Sequence, residues 1–241
     1  MFKSKIKNYK CFKYLRFWKH YFVINKNNDG RFSLKLEDLQ AEMNDWGNGH
    51  TFDRHYVYHT SWAMRKIYES PPDKHIDISS DLRFSTLLST FVPTQFYDIR
   101  EIDISLPNLT TGIADLTKLP FKDNSIESVS CMHVVEHLGL GRYGDIVNPS
   151  ADLIGINELI WVVKPGGKIF FVVPVGKPKI VFNAHRIYSY DKINDYFNDL
   201  HLEEFTLIPD NSNDGHLVTN PTRQLINKQE YGCGCWLFVK P

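Results

Sequence analysis

Carboxylates and imidazoles follow the ends of several short apolar segments in this chain. They lie at four places, Asp77–Asp81, Asp98, Asp115 and His133–His137. Carboxylates accept hydrogen bonds from hydroxyl and amino groups, and imidazoles exchange protons near neutral pH. This combination of side chains favours the binding and chemical modification of a polar organic molecule.

Asp98 lies near the end of an apolar segment, Gln95–Ile99, that we predict to be a strand. A carboxylate in this position can accept hydrogen bonds from both hydroxyl groups of a nucleoside ribose. The alternative is a loop carboxylate that caps a turn.

His133, Glu136 and His137 match the pattern His-x-x-Glu-His, which binds zinc in one class of proteases when it lies on a long helix. Here the pattern follows a predicted strand and is succeeded by Gly139 and Gly141. Glycine disfavours a long helix. We therefore do not expect a protease.

A second group of polar residues follows the apolar segment that ends at Pro174. His185 is a candidate general base, and Arg186 could bind a phosphate or carboxylate group. Arg142, Tyr143 and Asp145 are predicted to lie at the same rim. Each of these side chains could instead hold a loop in place.

Short apolar strands alternate with helices from residue 71 onward, a pattern typical of a parallel sheet. We predict seven strands, at 74–79, 95–99, 111–114, 125–131, 168–174, 203–208 and 235–239. The fold class is therefore predicted to be a doubly wound α/β domain over residues 71–241, with a mainly helical extension over residues 1–70. In such sheets a ligand binds beyond the carboxyl ends of the strands.

Composition and charge narrow the class of protein. The chain has 241 residues, of which 42% are hydrophobic and 23% charged, which excludes disordered, fibrous and membrane-spanning classes. Residues 1–28 hold eight Lys or Arg and no acidic residue. This segment could contact a membrane surface, but we interpret it as a partly docked basic extension.

The chain has four cysteines and no apolar run typical of a signal peptide, so we expect a cytoplasmic protein.

A predicted helix at residues 51–67 places His55 and His59 four residues apart, on one face. One interpretation is a pair of metal ligands. The aromatic side chains of Tyr56, Tyr58 and Trp62 favour a packed interface instead.

Two segments resemble the central motifs of the class I S-adenosylmethionine-dependent methyltransferases. The first is Ala114–Leu138, with Asp-Leu-Thr-Lys-Leu-Pro-Phe at its start, and the second is Val163–Pro174, with Lys-Pro-Gly-Gly. A closer likeness, through Phe52–Thr60 and His137–Asp145, is to a domain family of unknown function numbered 268. The resemblance implies a Rossmann-like sheet and S-adenosylmethionine as the cofactor.

The resemblance also implies positions for the cofactor. By position, Asp98 would bind the ribose, Asp115 with Leu116 would bind the adenine, and Met132 with His133 would line the methionine moiety. Each of these residues therefore becomes a predicted cofactor-binding residue.

The first loop departs from the glycine-rich pattern of the resembled family, because it reads Asp77-Ile-Ser79-Ser80-Asp81. Serine hydroxyls can donate hydrogen bonds to a carboxylate, and Asp81 can pair with an ammonium group. We therefore predict that Asp77, Ser79, Ser80 and Asp81 hold the methionine end.

Glu136, His137, His185 and Arg186 are the predicted catalytic residues. Small-RNA and ubiquinone-pathway O-methyltransferases resemble this segment with Glu-x-x-Glu-His and use those side chains for a divalent ion, but here His133 replaces the first glutamate. A divalent metal bound by Glu136, His137 and His185 is thus an alternative. The preferred interpretation has no metal ligand, and Glu136 and His137 orient the loop by hydrogen bonds.

The resemblance implies methyl transfer to oxygen or nitrogen of a small polar acceptor. The predicted class is a sugar or a phosphorylated precursor of a surface polysaccharide, rather than a nucleic acid. The alternatives are an RNA- or lipid-linked acceptor recruited by residues 1–28 and a non-catalytic binding protein with this fold. Binding that collapses with salt, and with removal of residues 1–28, would favour the recruited acceptor.

Overall fold

The computed structural model describes residues 2–42 and 52–241, with side chains described from residue 12 onward. The chain forms two compact units, one that ends at Phe52 and one that spans Asp53–Pro241. The first contains helix α1, Phe2–Lys26, and a short 3₁₀ turn, Leu36–Asp38. Among the described residues, every helix is too short or too polar to cross a bilayer.

The second unit carries all the other helices that the structure describes. They are α2, Arg54–Glu69; α3, Leu82–Leu88; α4, Ala151–Val162; α5, Tyr190–Tyr196; and α6, Arg223–Asn227. The predicted boundary at residue 71 differs from this division, because α2 packs within the second unit. Part of the predicted extension, at residues 43–51, lies outside the described residues.

A mixed sheet forms the centre of the second unit. Its strands are β1, His75–Ile78; β2, Thr94–Asp98; β3, Leu109–Ile113; β4, Ile126–Met132; β5, Val163–Val175; β8, His201–Ile208; β9, Val218–Thr219; and β10, Gly232–Val239. Their order is β3-β2-β1-β4-β5-β10-β8-β9. The first five in this order are parallel, whereas β10 runs antiparallel to β5 and β8. This confirms the Rossmann-like, doubly wound fold.

The predicted strand count was wrong by one, because the sheet has eight strands rather than seven. The additional strand is β9, which pairs antiparallel with β8. A separate hairpin pairs β6, Lys179–Val181, with β7, His185–Ile187. Strands of two or three residues are too short to show an alternating pattern in the sequence.

Strand β5 shows why the sheet is buried on both faces. Ile169, Phe171 and Val173 pack on the face that carries α4 and α5, whereas Phe170 and Val172 pack on the face that carries α2 and α3. All five side chains are buried. Burial of each such side chain contributes about 1.5–3 kcal/mol, so β5 anchors both layers.

Gly139 holds the loop between β4 and α4 in a conformation that other residues avoid. Its φ is 72°, and an added Cβ would lie 2.0 Å from the Asn148 carbonyl oxygen. We expect Gly139→Ala to lower the free energy of unfolding by about 2–4 kcal/mol through left-handed backbone strain and overpacking. The matched control is Gly144→Ala, since Gly144 has a φ of 81° and open space around it. Urea denaturation should show the larger loss at Gly139; equal losses would contradict the steric argument.

Candidate functional site

A cavity of 130 Å³ lies at the carboxyl ends of β1, β2, β3 and β4. Six of the predicted site residues line it, namely Ser79, Asp98, Asp115, Leu116, His133 and His137. They come from four separate stretches of chain that the parallel sheet brings to one edge. A larger groove of 730 Å³ lies between α2 and α3 and shares none of these six residues.

Buried hydrogen bonds of Asp77 and Ser80 stabilise the first loop, which connects β1 to α3. The fully buried Asp77 carboxylate accepts hydrogen bonds from the Ser80 backbone N–H at 3.2 Å and the Ser85 hydroxyl at 2.5 Å. Burial raises the pKa of Asp77 to about 6, although hydrogen bonds from Ser80 and Ser85 oppose that shift. The Ser80 hydroxyl oxygen accepts from the Met132 backbone N–H at 3.0 Å, so the loop is tied to the end of β4.

Ser79 has a φ of 56°, in the left-handed region that favours glycine. Its backbone N–H donates to the Tyr97 carbonyl oxygen at 2.7 Å, and that contact helps to hold the strained conformation. A non-glycine residue in this conformation at a cavity is a common sign of a functional site. Ser79 thus adopts the backbone conformation that a glycine would otherwise supply, and its side chain lines the cavity.

Asp81 caps helix α3, where its carboxylate accepts a hydrogen bond from the Arg83 backbone N–H at 2.9 Å. The Arg83 guanidinium also pairs with it. The hydrogen bonds from Arg83 lower the pKa of Asp81. These contacts give Asp81 a structural role, and it lines the α2–α3 groove rather than the strand-end cavity. A contact with a ligand ammonium group stays a prediction.

Asp98 is the last residue of β2, and its side chain is only 7% exposed. Arg100 donates to it from Nε at 2.9 Å and from Nη2 at 3.4 Å. Burial acts to raise the pKa of Asp98, but the hydrogen bonds and charge of Arg100 outweigh burial and lower it. Asp98 is therefore an ionised acceptor at the cavity, and sequence reasoning missed its partner Arg100.

Asp115 and Leu116 follow β3 and also line the cavity. The Asp115 carboxylate Oδ1 accepts from the Thr117 backbone N–H at 2.8 Å and from the Thr117 hydroxyl at 2.7 Å. Asp115 is exposed and Leu116 is buried. The pair offers an acceptor beside an apolar surface, which suits the edge and face of a purine.

The His-x-x-Glu-His segment follows β4 and forms a 3₁₀ turn, Val135–His137, rather than part of a long helix. His133 has a φ of 58°, and its Nδ1 lies 2.7 Å from Oε1 of Glu136. Glu136 is 1% exposed, and its Oε1 lies 3.8 Å from Nε2 of His137. Burial acts to raise the pKa of Glu136, but the charge and hydrogen bond of His133 lower it. Glu136 therefore orients His133, while a role of Glu136 and His137 in ordering the loop stays a prediction.

His185 and Arg186 lie on β7 and differ in exposure. His185 is half-buried, and burial lowers its pKa below the usual value. Arg186 is buried and donates to the carbonyl oxygens of Leu138 at 2.6 Å and Pro149 at 3.1 Å. Arg186 therefore holds the loop after β4, while binding of an acceptor anion by Arg186 stays a prediction.

A cluster of rings that sequence reasoning did not assemble packs around His133. The His55 ring stacks on His133 with centroids 5.3 Å apart, and Tyr56 stacks on it at 5.3 Å. His59 also contacts His133, at 5.0 Å. Sγ of Cys233 lies 3.4 Å from His133 Nε2. The aromatic residues of α2 indicated an interface, but the residues that it packs against, after β4 and on β10, could not be identified from the sequence.

Two comparisons of the sequence with known proteins gave one family match. Residues 116–211 match a family model described as "Caenorhabditis protein of unknown function, DUF268". The match covers less than half of the chain and includes β4, α4 and β5. No curated protein sequence matches the chain.

Solved structures of methyltransferases share the fold. N-methyltransferase NodS from Bradyrhizobium japonicum WM9, in complex with S-adenosyl-L-homocysteine, is 12% identical, with a TM-score of 0.53 over 78% of this chain and 88% of that chain. The 1,6-didemethyltoxoflavin-N1-methyltransferase of Burkholderia thailandensis, with bound 1,6-didemethyltoxoflavin and S-adenosylhomocysteine, is 10% identical, with a TM-score of 0.54 over 78% and 79%.

The [4+2]-cyclase SpnF is also similar, at 10% identity and a TM-score of 0.53 over 76% of this chain and 80% of that chain. A cyclase among these structures illustrates that one fold hosts more than one chemistry. What the likeness shows is therefore the architecture. The chain has the Rossmann-like fold of the class I S-adenosylmethionine-dependent methyltransferases.

Proposed function

We propose that this chain binds S-adenosylmethionine at the strand-end cavity and transfers its methyl group to oxygen or nitrogen of a small polar acceptor. The observation that carries the proposal is the position of Asp98, an ionised and largely buried carboxylate at the end of β2 and at the cavity wall. A carboxylate in this position of an open α/β sheet suits a nucleoside ribose.

The residues around the cavity fit the two ends of this cofactor. Asp98 would accept hydrogen bonds from the ribose hydroxyls, and Asp115 with Leu116 would hold the adenine. The strained Ser79 and His133 backbones, with φ values of 56° and 58°, flank the position for the methionine end. When bound, the cofactor supplies a methyl group activated by a sulfonium. The chain supplies alignment and exclusion of water.

The acceptor would approach from the side of the β6–β7 hairpin. His185 lies there with its ring centroid 6.4 Å from that of His137. Because burial lowers the pKa of His185, its imidazole is neutral at pH 7 and can take the proton that the acceptor hydroxyl or amino group must lose. His185 is therefore the proposed general base, and His137 adjoins it.

The charge at this rim supports an anionic acceptor, such as a sugar phosphate or another phosphorylated precursor of a polysaccharide. Arg142 is exposed near His185, in the loop after β4. The Arg142 guanidinium donates to the Ala184 carbonyl oxygen at 3.1 Å, next to His185 in the chain. An exposed cation beside a neutral base suits a phosphate group.

Isothermal titration calorimetry of the full chain with S-adenosylmethionine and S-adenosylhomocysteine tests the proposal. We expect one saturable site per chain for both ligands, and much weaker binding of methionine alone, which lacks the nucleoside that Asp98 would bind. Absence of binding at millimolar cofactor to the folded chain would contradict the proposal.

Replacing His185 with alanine is expected to slow methyl transfer about 100-fold while leaving cofactor affinity unchanged, because a general base acts on the acceptor. Transfer of labelled methyl groups to a pool of phosphorylated sugars measures the rate. The matched control is His201→Ala, since His201 is an exposed histidine on β8. Equal rates in the two variants would show that His185 is not the general base.

A further inference from the structure

Three side chains from three separate elements present possible metal ligands at one point. They are His55 on α2, His133 after β4 and Cys233 on β10, and their ligand atoms all lie within 4.8 Å of one another. Among the described residues, no other group of three or more His, Cys, Asp or Glu side chains brings its ligand atoms this close together. His133 and Cys233 are buried, and His55 is half-buried.

The distances agree with ligation of a single ion. A zinc ion has its ligands at about 2.3 Å for sulfur and 2.0–2.1 Å for imidazole nitrogen, so tetrahedral sulfur and nitrogen ligands lie about 3.6 Å apart. The observed distance from Cys233 Sγ to His133 Nε2 is 3.4 Å. A small movement of either side chain would therefore accommodate the ion.

His133 is oriented in the manner of a metal ligand. Its Nδ1 faces Oε1 of Glu136 at 2.7 Å, which leaves Nε2 directed at Cys233. The His55 ring is held beside it by stacking on the Tyr231 ring, with centroids 5.0 Å apart. Histidines that bind metals usually donate their second N–H to a carboxylate or a backbone carbonyl.

Two buried polar atoms beside the cluster lack partners in the described part of the chain. Glu136 Oε2 and His59 Nε2 are enclosed, with no hydrogen-bond partner. A buried carboxylate with one oxygen unpartnered is costly unless positive charge lies nearby. A cation on the far side of the His133 ring would supply that charge.

We propose that His55, His133 and Cys233 bind a divalent transition-metal ion of the zinc type, with Glu136 as a positioning residue behind His133. Nitrogen and sulfur ligands favour zinc over magnesium or calcium. Binding converts the Cys233 thiol to a thiolate and releases its proton to solvent. The ion joins α2 to the ends of β4 and β10. This site differs from the alternative set of Glu136, His137 and His185, and it does not depend on methyl transfer.

Cobalt titration of the full chain, after treatment with a chelator, tests the site without an activity assay. We expect one Co²⁺ per chain, a thiolate-to-cobalt charge-transfer absorption, displacement by Zn²⁺, and a higher melting temperature with either metal. A folded wild-type chain that shows no such absorption would overturn the proposal and leave a thiol–imidazole hydrogen bond in its place.

Matched variants assign the ligands. Cys233→Ala should abolish the charge-transfer absorption, whereas Cys131→Ala should retain it, because Cys131 packs in the other core. His55→Ala should weaken Co²⁺ binding at least about 100-fold, and Glu136→Gln about 10–100-fold. His216→Ala, at an exposed position of a ring pair with Tyr58, should bind as the wild type does.

Circular dichroism establishes that each variant is folded. If the Cys233 variant does not fold, His55→Ala decides, since His55 is half-buried at the surface of α2. Unchanged Co²⁺ affinity in folded His55→Ala, or a charge-transfer absorption that survives Cys233→Ala, would overturn the assignment.

Discussion

Asp98→Ala is expected to weaken binding of S-adenosylmethionine about 1000-fold. A carboxylate that accepts from two ribose hydroxyls makes two charge-assisted hydrogen bonds, each contributing about 1.5–3 kcal/mol. The Arg100 guanidinium already shares this carboxylate, which reduces the gain. A total of about 4 kcal/mol remains, and each 1.4 kcal/mol is a factor of about ten in affinity.

Calorimetry on Asp98→Ala and on Glu101→Ala measures this effect. Glu101 is an exposed acidic residue three positions along the same loop and does not line the cavity, so its replacement controls for lost negative charge. We expect wild-type affinity in the control. A similar affinity in both variants would show that the ribose does not lie at the end of β2.

Acidification is expected to destabilise the fold through His75, by about 3 kcal/mol at pH 4 and about 5 kcal/mol below pH 3. His75 is fully buried between Ser128 and Ser130, whose hydroxyls lie 2.8 and 2.9 Å from its ring nitrogens. Burial lowers its pKa from 6.5 to about 3. The unfolded chain therefore takes up the proton first, and stability falls as pH drops from 6.5 towards 3.

Urea denaturation of the wild type and of His75→Gln at pH 7 and pH 4 isolates this contribution. The glutamine variant should lose less stability between the two values, by about 3 kcal/mol, because it has no group to protonate. Other groups titrate in both proteins and cancel in the difference. His201→Gln, at an exposed position, should behave as the wild type does. Parallel losses in all three proteins would contradict the assignment to His75.

Much of the fold could be predicted because its signals are local. The apolar strands and the Lys-Pro-Gly-Gly motif at the start of β5 each lie within one short segment of sequence. Asp98 and Asp115 could be placed at one edge because parallel strands end there together. The two-residue strand β9 and the short strands of the β6–β7 hairpin are too short to show an alternating apolar pattern, so the sequence does not identify them as strands.

The ring and thiol cluster around His133 was beyond sequence reasoning. His55 lies on α2, His133 in the loop after β4 and Cys233 on β10, far apart in the chain, so only tertiary packing brings them together. Likewise, Arg186 was predicted to bind an anion, but its guanidinium donates hydrogen bonds to the carbonyl oxygens of Leu138 and Pro149. Residue type alone does not reveal these contacts.

The serines of the first loop have structural roles beside the ligand contacts that were predicted for them. Serines were predicted as donors to a ligand carboxylate. The structure shows that Ser80 anchors the loop to β4, whereas Ser79 adopts the left-handed conformation that glycine usually supplies. Ligand contacts by Ser79 therefore stay a prediction, and the loop is held without glycine.

A crystal structure of the full chain with S-adenosylhomocysteine tests the central claim most directly. The account predicts the ribose hydroxyls at the Asp98 carboxylate, the adenine against Leu116 and Asp115, and the homocysteine end between Ser79 and His133. A ligand bound elsewhere, such as in the groove between α2 and α3, or crystals that remain free of ligand at millimolar concentration, would contradict it.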